Sequence, residues 1–399
     1  MREETLSDME YAKILSANVQ DIKPSGIRKF FDMLSGMDDV VGLTVGEPDF
    51  VTPWHIRVAG IESLEKGKTY YTANAGLADL RREIAAYLDR RFDLHYDPAT
   101  EIVVTVGGSE AIDLTMRALI EPGDEVIVPQ PAFVCYGPIA ELAHGKPVFI
   151  QTREEDGFKL TADALRAAIT DKTKLLVLPF PNNPTGAIMT REDLCAIAEV
   201  LRDTNIMVLS DEIYGELTYT GRHVSPATIP GLRERTIVTS GFSKSYAMTG
   251  WRLGYLTAPA PLAKQMLKIH QYAIMSAPTT SQFAAVEALR NGDEDIAMMK
   301  AEYNRRRRFL VNGLRGLGIE CFDPDGSFYV FPNIKPFGMT SEAFCEKLLY
   351  DYKLAVVPGS AFGDCGEGYV RISYAYSVEH ISKALDRLER FIAEHPITK

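Results

Sequence analysis

Between residues 100 and 260 the chain alternates short apolar runs with amphipathic stretches. The runs cover residues 102–106, 125–129, 147–150, 174–178, 206–210 and 235–239. They are rich in Val, Ile and Leu, four or five residues long, and bounded by turn formers, which predicts strands. Between several of them, residues 110–119, 162–169 and 192–202 carry apolar positions at helical spacing. Strands that read as almost unbroken apolar runs are buried on both faces. Alternated with helices, they predict an α/β domain around a mostly parallel sheet. Past residue 290 the rhythm changes. Helical patterns near 296–316, 341–351 and 378–393 surround short strand-like pieces at 327–331 and 368–373, and Asp323-Pro-Asp-Gly326 reads as a turn. This part predicts a smaller α+β domain, and a length of 399 residues suits two domains.

Composition narrows the function classes. Apolar residues make up 46% and charged residues 24%, with a formal net charge of −11. That balance argues against a nucleic-acid or anionic-membrane surface. The run Arg305–Arg308 follows Glu302 on a predicted helix and reads as a solvated face. Five scattered cysteines without a Cys-x-x-Cys pair read as reduced thiols. The first ten residues are acidic and lack the apolar region of a signal peptide, and no apolar run reaches bilayer length. The expectation is a cytoplasmic protein with small-molecule partners, no nucleic acid and no membrane.

Ligands of such sheets sit at the carboxyl ends of strands, and the chemistry-bearing residues fall there. The segment SGFSKSYAMTGWRLGY (240–255) follows a strand-like run and sets Lys244 among small and hydroxyl residues, with Arg252 eight positions on. A lysine so presented suits Schiff-base chemistry, and the arginine suits a phosphate. The turn VGGSEA (106–111) follows a strand and opens a helix. Its glycines permit close backbone approach and its free N–H groups favour an anion, although a Gly-Gly turn can equally be only a turn. PNNPTG (181–186) is by local chemistry an ordinary turn. SDEIY (210–214) ends an apolar strand on Asp211, which is either a helix cap or a buried charge in need of a partner.

Taken in order, the Gly-rich turn, Asn183, Asp211 and Lys244–Arg252 resemble the class I/II aminotransferases. These are fold-type I enzymes that use pyridoxal 5'-phosphate, here of the aspartate or aromatic type found in bacteria and archaea. GEPDF (46–50), Tyr71 in KTYYTANAGL (68–77) and Arg371 in YVRISY (369–374) extend the likeness over nearly the whole chain. The resemblance implies a large cofactor-binding domain over 47–290 and a small domain made of 1–46 and 291–399. It implies that Lys244 forms a Schiff base with the cofactor and then moves the substrate proton. Gly108, Ser109, Ser243 and Arg252 would hold the phosphate, with Ser240 a further hydroxyl candidate. Asn183 and Tyr214 would meet the phenolic oxygen, Asp211 the ring nitrogen, and Phe133 the ring face. Arg371 would fork the substrate α-carboxylate with Gly46 and Asn183 beside it. Tyr71 would reach the cofactor of a second subunit, which implies a homodimer with shared sites.

Two positions depart from the family pattern. Gly241 stands where many relatives carry a phosphate-binding serine, and Ser109 stands where some aspartate-specific relatives carry a lysine. The second departure tilts the expectation towards an L-amino acid with an aromatic or similar side chain, exchanged with 2-oxoglutarate in ping-pong order. A pyridoxal-phosphate carbon–sulfur β-lyase shares the same residues and is the rival reading. A non-enzymatic effector domain is disfavoured by the acidic charge and by the short stretch before Gly46.

Overall fold

The computed structural model describes residues 11, 13–24, 26 and 37–397. Its centre is a seven-stranded sheet built from β2 (Ile102–Thr105), β3 (Glu125–Gln130), β4 (Lys146–Gln151), β5 (Thr173–Leu178), β6 (Met207–Asp211), β7 (Thr236–Gly241) and β8 (Gly254–Thr257). The spatial order is β2-β8-β7-β6-β5-β3-β4. All pairings are parallel except those of β8, which runs antiparallel to both β2 and β7. Six of these strands occupy the six apolar runs of the sequence. The seventh, β8, is four residues long, opens on glycine, and reads in sequence as the tail of the lysine segment.

The strands are apolar on both sides because both sides are covered. One face of the sheet packs Ala111, Leu114 and Met116 of the helix Gly107–Leu119 against Val126, Leu209 and Ile237. The other packs Ile127, Leu176 and Val208 against Leu194 and Ile197 of the helix Arg191–Leu201. Leu209 and Ile237 are wholly enclosed and register-paired across β6 and β7. Truncating either to alanine would cost roughly 2–5 kcal/mol, the transfer loss plus an unfilled cavity.

The C-terminal part has its own core. A three-stranded antiparallel sheet joins β9 (Tyr329–Val330), β11 (Val357–Pro358) and β12 (Val370–Ser373) in the order β11-β12-β9. Beside it β1 (Val41–Gly42) pairs in parallel with β10 (Leu354–Ala355), which brings this strand to the C-terminal layer, whereas Asn18 on the helix Ala17–Asp21 donates to the Glu141 carbonyl at 3.2 Å. The helices Asp293–Gly316, Ser341–Tyr352 and Val378–Glu394 cover it, burying Leu310, Phe344, Leu388 and Phe391.

The Arg305–Arg308 run corrects the expectation of a solvated face. Arg305 does pair with Glu302 at the surface. Arg306, however, is buried, donates to Asp49 at 2.7 Å and to Glu302 at 2.8 Å, and lies over Phe50 and Tyr303. Arg307 reaches Asp323 at 2.7 Å and the carbonyl of Pro324 at 2.9 Å. Charge spacing along one helix gives no information about partners more than two hundred residues away. Among the described residues, no helix is long and apolar enough to cross a membrane, and no group of three or more His, Cys, Asp or Glu could hold a metal ion.

Candidate active site

The carboxyl ends of β5, β6 and β7 open on a cavity of about 420 Å³. It reaches from the Gly107–Gly108 turn at one end to Arg371 at the other. Gly46, Gly108, Ser109, Phe133, Asn183, Asp211, Tyr214, Ser243, Lys244, Arg252 and Arg371 all line it. The structure therefore brings together every site residue expected from sequence except Tyr71. That side chain is 80% exposed and stands outside the cavity beside the equally exposed Tyr70. Ser240 also stands outside, because its hydroxyl donates to the backbone carbonyl of Glu212 at 3.3 Å. A larger, shallower recess of about 590 Å³ borders the cavity and shares Glu47, Thr249 and Arg252 with its rim. The titratable groups converge on the smaller space.

One end is made largely of backbone. Gly107 has φ +73°, and a Cβ there would come within 2.8 Å of Arg252 Nη2, so the guanidinium rests directly on the turn. Gly254 approaches so closely that a Cβ would lie 2.6 Å from the Gly107 carbonyl carbon. Gly241 in turn faces Gly254 across β7 and β8, with 3.0 Å available. This stack of glycines gives the physical reason for Gly241: a serine there would push β8 away from the turn. The first N–H groups of the helix Gly107–Leu119 have no intrahelical acceptors, and with Arg252 and the Ser109 and Ser243 hydroxyls they form an anion cradle. Arg252 is itself held by donation to the Thr249 carbonyl at 3.0 Å.

The opposite end is made of side chains from distant segments. Arg371 is buried, and its guanidinium donates to Asn183 Oδ1 at 2.9 Å and to the Thr44 carbonyl at 2.6 Å. Its Nε is buried with no partner among the described residues. Such a donor is costly unless a ligand completes it, and a planar fork suits a carboxylate. Burial lowers the Arg371 pKa, yet a guanidinium stays charged throughout the physiological range.

Lys244 lies between the two ends, half-buried, with Nζ donating to the Gly46 carbonyl at 2.6 Å. Desolvation pulls its pKa down to about 8, and the positive charges of Arg371 and Arg252 add to the effect while Glu47 and Asp211 oppose it. Asp211 is buried at the end of β6. Its pKa is raised, chiefly by desolvation, against hydrogen bonds that favour the carboxylate: the Tyr136 hydroxyl at 2.7 Å and the Ile213 N–H at 3.2 Å. The Tyr214 hydroxyl pairs with that of Tyr329 at 2.9 Å.

Sequence reasoning missed Tyr136 and Tyr329, although Tyr329 falls in the strand-like piece 327–331 and Tyr136 lies three residues past Phe133. A signal was present: each phenol lies in an apolar stretch, and a buried hydroxyl needs a partner. For pyridoxal phosphate the residues fit. The cradle takes a phosphate, Asp211 offers a carboxylate to a protonated ring nitrogen, Lys244 offers an amine, and Arg371 has an unpaired donor.

Comparison with known proteins agrees with this geometry. The sequence profile of the family described as aminotransferase class I and II matches residues 38–388. The chain is 54% identical to a putative aminotransferase, YugH, of Bacillus subtilis, over 95% of this chain and 98% of that one. It is 43% identical to an aspartate aminotransferase of Pyrococcus abyssi, over 96% and 100% of the two chains. Among solved structures, an aromatic aminotransferase from Pyrococcus horikoshii superposes with a TM-score of 0.88 at 43% identity, covering 92% of this chain and 99% of that one. The chain belongs to the class I and II aminotransferases, enzymes that work with pyridoxal phosphate.

Proposed function

We propose that this aminotransferase moves the amino group of an aromatic or similarly apolar L-amino acid, with 2-oxoglutarate as the acceptor, in ping-pong order. The observation that carries the substrate class is the set of cations in the cavity. Among the described residues only Lys244, Arg252 and Arg371 supply positive charge to its lining, and the scheme gives each a task other than a distal carboxylate. Ile112, Phe133, Pro179 and Tyr214 form the apolar part of the wall, and Ser109 follows the glycine turn. An apolar donor side chain loses little there and gains its burial. 2-Oxoglutarate is assigned on family resemblance alone: it shares the α-carboxylate fork with the donor, and its distal carboxylate finds no uncommitted cation among the described lining residues, so the charge argument bears on the donor and not on the acceptor.

Bound pyridoxal phosphate supplies a reactive carbonyl and a ring that withdraws charge from the substrate Cα. The roles of this chain's residues follow from their positions. Arg371 and the Gly46 backbone orient the substrate by its carboxylate. Lys244 is the attachment amine and, once free, carries the proton away from Cα. A pKa near 8 leaves it a useful neutral fraction at physiological pH. Asp211, held by Tyr136, would keep a proton on the ring nitrogen. Asn183 and Tyr214 would meet the phenolic oxygen, Phe133 the ring, and Ser243, Arg252, Gly108 and Ser109 would hold the phosphate.

A homodimer is part of the proposal. Tyr70 and Tyr71 stand exposed next to Tyr272, Ile274 and Met275, the two segments being tied by the Asn74–Met275 and Thr279–Tyr70 hydrogen bonds. Exposed apolar groups so concentrated suit a second copy, which would bring Tyr71 to the neighbouring phosphate. The proposed division into 47–290 and 1–46 with 291–399 is supported for the strand Val41–Gly42 by the β1–β10 pairing, while Asn18 bonds to Glu141 of the larger part. Five free cysteines support a cytoplasmic setting.

The test is to titrate the purified holoenzyme with L-amino acids, without any oxo acid, while assaying oxo acid, pyruvate and ammonia. One matching oxo acid per site, with loss of the visible band and preference for phenylalanine or tyrosine, is the expected result. Pyruvate and ammonia accumulating from cysteine-like substrates would replace transamination by β-elimination.

A further inference from the structure

Tyr329 has no assigned part in the scheme above, yet it touches both the carboxylate fork and the phenolic-oxygen partner. It is fully buried on β9. The Arg371 guanidinium lies over its ring, 4.5 Å from the centroid. Its hydroxyl is 2.9 Å from that of Tyr214. A Cβ on Gly46 would collide with the same hydroxyl, so the glycine leaves the space that it occupies. Gly46 then turns its carbonyl to Lys244. The Tyr329 phenol thus stands at a junction of segments that are far apart in sequence.

Two hydroxyls that share one hydrogen bond cannot both donate in it, and each has a single proton. Under the proposed function, which this inference rests on, Tyr214 gives its proton to the phenolic oxygen of the cofactor. Tyr329 must then be the donor to Tyr214, and a hydroxyl that accepts one bond donates a stronger one. The cation over the Tyr329 ring strengthens that donation by withdrawing charge from the phenol. A carboxylate docked on Arg371 neutralises the cation and relaxes the chain.

We infer that Tyr329 is a positioning residue that couples occupancy of the Arg371 fork to the hydrogen bond between Tyr214 and the cofactor. The charged and titratable groups facing the tyrosine pair are Arg371 from β12, Asp211 from β6, Lys244 after β7, Tyr376 beyond β12, Tyr136 from the helix Tyr136–Leu142 and Tyr303 from the helix Asp293–Gly316. Arg371 also acts on the cofactor directly through space. Only the part of the coupling carried by the hydroxyl disappears when Tyr329 becomes phenylalanine, since the ring under the guanidinium remains.

The experiment uses holoenzyme and 3-phenylpropanoate, an unreactive carboxylate, and reads the pH midpoint of the visible cofactor band with and without it. In the parent the ligand moves the midpoint upward. In Tyr329→Phe the ligand still binds, within about threefold of the parent, while the ligand-induced displacement of the midpoint falls to less than about half. Tyr214→Phe gives the same reduction, and the double variant is no worse than either single one. An undiminished displacement in Tyr329→Phe overturns the inference. So does loss of ligand binding, which would make the hydroxyl part of the fork itself. A parent that holds its cofactor and transaminates but shows no displacement overturns the inference alone. A parent without transamination overturns the function on which it rests.

Discussion

The two ends of the cavity are built in opposite ways. The proposed phosphate end is built of backbone: Gly107, Gly241 and Gly254 bring three segments into contact at the ends of adjacent strands, and Arg252 lies on the turn. The carboxylate end is assembled from afar. Arg371 bonds to Thr44, 327 positions away, and to Asn183, 188 positions away. Lys244 bonds to Gly46 across 198 positions. An anion whose position must not vary is best held by backbone on a sheet. A substrate that must come and go is better met by side chains from separate segments, whose relative placement sets the fit.

The largest test of this contrast is at its middle. Lys244→Ala removes the proposed attachment amine and proton carrier, so turnover should fall by roughly 10⁴-fold or more, with loss of the visible band. Near-normal turnover would end the scheme.

Arg371→Lys should break the carboxylate end alone. A lysine keeps charge and loses the planar fork, and such losses cost about 2–5 kcal/mol, mostly in kcat/KM for the amino acid. Cofactor affinity should stay within a fewfold of the parent in equilibrium dialysis. If both fall together, the two ends are not separable.

Lys244 also reports on both ends through pH. Its folded-state pKa is depressed from 10.5 to about 8, so between these values the unfolded chain binds more protons than the folded one. Its contribution to stability therefore rises with pH across that window, by up to roughly 3 kcal/mol. Urea unfolding of cofactor-free protein at pH 7.5 and pH 10, compared with Lys244→Met, should show a rise present only in the parent. The raised tyrosine pKa values act on both proteins alike and cancel in the difference.

The smallest expected effect belongs to Gly107→Ala. The positive φ costs about 1–2 kcal/mol and the new methyl displaces Arg252, so cofactor dissociation should rise roughly tenfold. The amino-acid KM at saturating cofactor should not move. A change in KM without a change in cofactor affinity would reverse the assignment of the two ends.

Much of this molecule is determined by its sequence alone. The six buried strands announce themselves as apolar runs because a sheet covered on both faces leaves no polar positions to interrupt them. Gly107–Gly108, Asn183, Asp211 and Lys244 are legible because each follows such a run at a strand end, where chain order and spatial order coincide, and Arg252 is legible from its spacing to Lys244. Other features were decided only in three dimensions. β8 is too short to be read as a strand and opens on glycine, and it is defined by its antiparallel pairing with both β2 and β7. Arg306 looks like surface charge until Asp49 and Phe50 fold over it. Tyr136 and Tyr329 look like core residues until Asp211 and Tyr214 supply their hydrogen-bond partners. Periodicity records how a segment meets its own layer. The partner of a buried polar group is set by which distant segment lands beside it, and that depends on the packing of the whole chain.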